Sequence, residues 1–71
     1  MGMDRESARK IARRYITVGR TSVEVAETLA LLIRYRKRSA PEKQSLFDVV
    51  ISDTEAILHE LRVLEALAPI M

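Results

Sequence analysis

From Phe47 to Ala68 a single stripe of side chains (Phe47, Val50, Thr54, Ile57, Leu61, Leu64, Ala68) advances by alternating steps of three and four, without a slip over three heptads. A strand repeats every two residues, so only a helix gathers this set on one face. Its start is marked by Ser39-Ala40-Pro41-Glu42, in which Ser39 is placed to cap, Pro41 occupies a first-turn position needing no amide proton, and Glu42 completes an S-x-x-E box. Pro69 stops it. The pattern predicts a helix over about 41–68, with Ile51 and Leu58 widening its buried stripe.

Upstream, Ile11, Tyr15, Val18, Ser22, Val25, Leu29, Leu32 and Arg36 keep the same alternation, which predicts one long helix over about 4–38. Two features oppose continuity. Gly19 sits in the middle at a cost of about 1 kcal/mol relative to Ala, and Thr21-x-x-Glu24 is itself a capping box, so a kink or break near Gly19 is the second reading. A third is a short strand, because the β-branched residues between Tyr15 and Val25 also alternate. The expected fold is all-α: an antiparallel hairpin pairing Ile33 with Phe47, Leu29 with Ile51 and Ala26 with Thr54, the first helix overhanging the second at its N-terminus.

Such a hairpin carries more apolar surface than it can bury. Leu29 to Ile33 is apolar all round, and Leu46 to Ile51 is nearly so. A helix that is apolar on every side is buried on every side. The chain has 71 residues and no cysteine, and a core of that size rarely supplies more than about 3 to 5 kcal/mol. Both facts point to a homodimer in which two hairpins form a four-helix bundle. Ile16, Val23, Leu29, Leu31, Ile33, Tyr35, Leu46, Phe47 and Val50 are the candidate surface for that copy or for another protein.

The net charge of +2 conceals an asymmetry. Residues 1–43 hold eleven of the twelve Lys and Arg against five acids, a net of +6; residues 44–71 hold one base, Arg62, against five acids, a net of −4. Arg5, Arg9 and Arg13 recur every four residues, as do Lys10 and Arg14, so the first turns present a cationic face. Arg34, Arg36, Lys37 and Arg38 form a second cluster, placed where cations also complement a helix dipole. These nine residues are the candidate phosphate contacts if nucleic acid is the ligand. Only Tyr15 and Tyr35 interleave aromatics, which argues against stacking on single strands.

Two resemblances bear on that reading. A hairpin that dimerises into four helices looks like the Rop-type RNA-binding bundles. Arg14-Tyr15-Ile16-Thr17-Val18 followed by two helices resembles the ribbon-helix-helix DNA-binding fold, which implies Tyr15, Thr17 and Gly19 as groove-facing positions and Ile16 and Val18 as core.

Catalysis finds little support. The absence of cysteine excludes a thiol nucleophile, a zinc knuckle and a disulfide scaffold. The lone His59 reads as a solvated helix residue near Glu55, no glycine-rich phosphate loop exists, and no serine has a base beside it. The nearest enzymatic analogy is a helical bundle binding dianions, as chorismate mutases do, with Arg13, Arg20, Arg34 and Glu24 turned inward. The longest apolar run is Leu29 to Ile33, far short of the roughly 20 residues that span a bilayer. Glu6 stands where a myristoylation pattern on Gly2 would need Ser or Thr. The expectation is therefore a cytoplasmic, non-enzymatic regulator or adaptor, without cofactor, metal or membrane, that acts through protein contacts. Nucleic-acid binding is the alternative.

Overall fold

The computed structural model describes residues 3–67 as three helices: α1 (Arg5–Thr17), α2 (Ser22–Arg38) and α3 (Pro41–Leu67). The described residues contain no strand, so neither the strand reading nor the ribbon-helix-helix resemblance at Tyr15–Gly19 holds. Ala68 and Pro69, at the expected end of α3, and Gly2 lie outside the described residues.

The expected long first helix is two helices, and the break has three local causes. The N–H of Arg20 donates to the Tyr15 carbonyl at 2.8 Å and that of Gly19 to Ile16 at 3.0 Å, the paired bonds of a Schellman C-terminus. That motif requires a left-handed residue after the cap, and Gly19 supplies it with φ of 81°. Arg20 then lies over the Tyr15 ring, 5.7 Å from its centroid. Thr21 restarts the chain by accepting the Glu24 N–H, as its box predicts.

Breaking there lets α1 fold back instead of overhanging. The Met3 N–H donates to Asp53 at 2.8 Å and Arg9 reaches Glu60, so α1 runs parallel to α3. Ser22 meets Glu65 while Arg36 meets Asp48, so α2 runs antiparallel. With Arg36 level with Asp48 and Leu29 near Glu55, the α2–α3 register lies about one turn from the expected Ile33–Phe47 pairing. The turn accounts for the shift. Ser39 does not cap α3: its hydroxyl donates back to the Tyr35 carbonyl at 2.7 Å, and Gln44 donates to the carbonyls of Arg36 and Ser39, so these side chains finish α2. The Ala40 carbonyl accepts the first N–H groups of α3.

α1 and α2 each pack on α3, on adjoining sides. One broad stripe on α3 is consequently two seams. Phe47, Ile51, Thr54, Leu58, Leu61 and Glu65 face α2, while Asp53, Ile57, Glu60 and Leu64 continue in heptad spacing beneath α1. Ala8 and Ala12, both fully buried, bring the α1 backbone close to that second seam. Ala12, Val25, Leu58 and Leu61 form the core where the three helices meet, with Tyr15, Ala26, Leu29 and Leu64 packed around it. Since α1 begins level with Asp53, only the second half of α3 has helices on both seams. The first half and the end of α2 form a two-helix projection along the 46 Å long axis of a molecule 22 Å by 17 Å across.

Candidate interaction surface

The seam beneath α1 does not stop where α1 does. Stepped back in heptads from Glu60, Ile57 and Asp53 it reaches Val50 and Leu46, and Val49 flanks both. On the projection these positions have no helix over them. Leu46 is 68% exposed, and Val49 and Val50 are nearly half exposed. Opposite them α2 contributes Leu32, with Leu31 and Tyr35 beside it, both exposed. Leu32, Phe47, Leu46 and Val50 line a shallow groove whose outer end carries the aliphatic stem of Lys43. Soluble monomers rarely leave a continuous apolar face of this kind uncovered.

The nine expected apolar residues therefore do not act as one set. Leu46, Phe47 and Val50 line the open groove, and Leu31 and Tyr35 are exposed on α2 beside its Leu32. Leu29 instead packs against the core. Ile33 is exposed on the opposite flank of α2, in the row of Ala26 and Leu29, while Ile16 and Val23 are exposed on the outer sides of α1 and α2. Leu32, Lys43 and Val49 are on the open face although the candidate set omits them. A single merged stripe on α3 hides the second seam, which Val49 flanks.

The cationic face of α1 is likewise divided. Arg9 donates through Nε to Glu60 at 3.0 Å and Arg5 Nε, on a side chain still 72% exposed, lies 3.5 Å from the other carboxylate oxygen, so Glu60 offsets part of their charge. Glu60 is only 2% exposed. Burial pushes its pKa up, but the hydrogen bond from Arg9 and the charges of Arg5, Arg9 and His59 outweigh that and hold it below the ordinary carboxylate value. Nothing in the heptad pattern marks Glu60 as an interior charge; its position on the α1 seam follows only once that seam is separated from its neighbour. Lys10, Arg13 and Arg14 stay exposed on α1 without an ion pair among the described residues. In the second cluster Arg36 is half-buried and bound to Asp48, which raises its pKa, while Arg34, Lys37 and Arg38 remain exposed at the tip of the projection.

Among the described residues no group of three His, Cys, Asp or Glu is placed to hold a metal ion, and no helix is long and apolar enough to cross a membrane. His59 is exposed, with Glu60 its nearest carboxylate at 3.9 Å. What the fold and this surface define is a small three-helix protein with an apolar seat left open on one projecting hairpin. Comparison with protein-family models, curated proteins and solved structures gives no match.

Proposed function

We propose that this protein is a non-enzymatic regulator or adaptor that works through protein contacts as a homodimeric helical bundle. The observation that carries the reading is the uncovered face of the projection, where Leu32, Leu46, Phe47 and Val50 line one groove and Leu31, Tyr35 and Val49 are exposed on the same two helices. Two projections packed face to face place four helices around one apolar centre, so the four-helix bundle is local to the joint and each α1 flanks it. Self-association leaves Ile33 and Val23 on another side for a further protein. Sedimentation equilibrium tests the reading: a dimer is expected at micromolar concentration, with Leu31→Asp monomeric and still helical. A stable 8.1 kDa monomer of the unmodified chain would overturn it.

A second reading rests on Lys10, Arg13 and Arg14, exposed cations that form no ion pair among the described residues. They supply phosphate contacts for nucleic acid. A gel-shift titration is expected to show affinity that falls steeply with salt and is abolished by Arg13→Glu with Arg14→Glu. No retardation at low salt removes this reading.

A further inference from the structure

We infer that the two copies meet antiparallel along the open seam, with Lys43 of each against Asp53 of the other. The inference rests on the dimer reading above and fixes its geometry.

Two observations support it. The first is the shape of what is left open: a stretch of α3 from Lys43 to Asp53, about 15 Å long at 1.5 Å per residue, uncovered until α1 begins. A second copy of the projection offers an apolar stripe of the same length and the same residues. The second is charge. The outer end of the stretch carries Lys43 and the inner end carries Asp53, with Asp4 capping α1 beside it. An isologous contact pairs each residue with its symmetry complement. Antiparallel docking therefore sets Lys43 against Asp53 twice, and Leu46 against Val50 twice. Parallel docking sets lysine against lysine and aspartate against aspartate, which electrostatic complementarity opposes.

The test uses the full chain by sedimentation equilibrium, with circular dichroism to check that each variant stays helical. Lys43→Glu and Asp53→Lys are each expected to weaken dimerisation on the order of tenfold, because each is counted twice across the two-fold axis. The double variant carrying both changes is expected to restore it, since the charges then trade places and each pair is again of opposite sign. An unmodified chain that is monomeric overturns this inference together with the dimer reading. A dimer indifferent to both single changes, or one that the double change fails to restore, overturns the antiparallel pairing alone.

Discussion

The Glu65 carboxylate accepts both the backbone N–H of Ser22, at 2.8 Å, and its hydroxyl, at 2.6 Å, so the last turn of α3 caps the first turn of α2. These two bonds hold the Glu65 pKa below its ordinary value against the small opposing effect of burial. Replacing Glu65 by Ala removes the acceptor from an N-terminus that Thr21 alone serves with a longer bond of 3.5 Å. The expected loss is about 1 kcal/mol, read as a lower urea midpoint with an unchanged slope.

Acid should weaken the fold through the same kind of contact. Asp4, Glu60 and Glu65 all have lowered pKa values in the folded chain, Asp4 chiefly through the Ser7 N–H it caps. A carboxyl with a lowered folded-state value binds its proton more readily once unfolded. Its stabilisation is therefore complete above the ordinary carboxylate range and is lost as pH falls through the lowered values. Urea midpoints measured downward from pH 7 should hold steady to about pH 5 and then fall. An unchanged midpoint at pH 3 contradicts this assignment.

Gly19→Ala is expected to destabilise the chain by about 1 kcal/mol, the penalty of a left-handed backbone for a residue with Cβ. No atom lies within 4 Å of where that Cβ would stand, so backbone conformation alone supplies the effect. Gly19→Asn, better tolerated at positive φ, should recover part of it. Thermal melts of the three proteins make the comparison.

Leu61 and Leu46 should separate folding from association. Leu61 is fully buried where the three helices meet, and Leu61→Ala is expected to cost about 2 to 5 kcal/mol, enough to unfold much of so small a protein. Leu46 has no such packing, and Leu46→Asp should leave the far-ultraviolet spectrum unchanged while abolishing self-association. Loss of helicity in Leu46→Asp would show that the open face is part of the monomer core.

Dimerisation has a thermal signature as well. Binding that favours the folded state raises its apparent stability with concentration. The melting temperature of the unmodified chain is expected to climb with concentration across a hundredfold range, and that of Leu46→Asp to stay level.

The signals legible in the sequence were those written within a few residues. The helical period downstream of Phe47 and the Thr21-x-x-Glu24 cap fall in this group. So does the surplus of apolar surface near the turn. What the sequence left hidden depends mostly on contacts between helices far apart in the chain, and in one case on a choice between two helix ends. Arg5 and Arg9 read as a solvated cationic face until Glu60 arrives beneath them. Leu58 reads as the edge of one stripe until α1 and α2 take separate sides of α3. Ser39 matches an N-cap motif, yet the hydroxyl has two helix ends within reach, and the carbonyl of Tyr35 takes it.

The 18–21 connection has a consequence beyond the break it makes. A heptad seam is translationally ambiguous: its apolar contacts would be met almost as well with α1 moved seven residues toward the start of α3, over Val50 and Leu46. A shift of that size would only carry Arg5 and Arg9 from Glu60 to Asp53, one heptad back, but it would stretch the short 18–21 connection by about 10 Å, so the connection and not the charge selects between the two alignments. The bare end of α3 is thus specified from the opposite end of the molecule, by the tight turn at Gly19 that keeps the protein's own first helix from sliding over it.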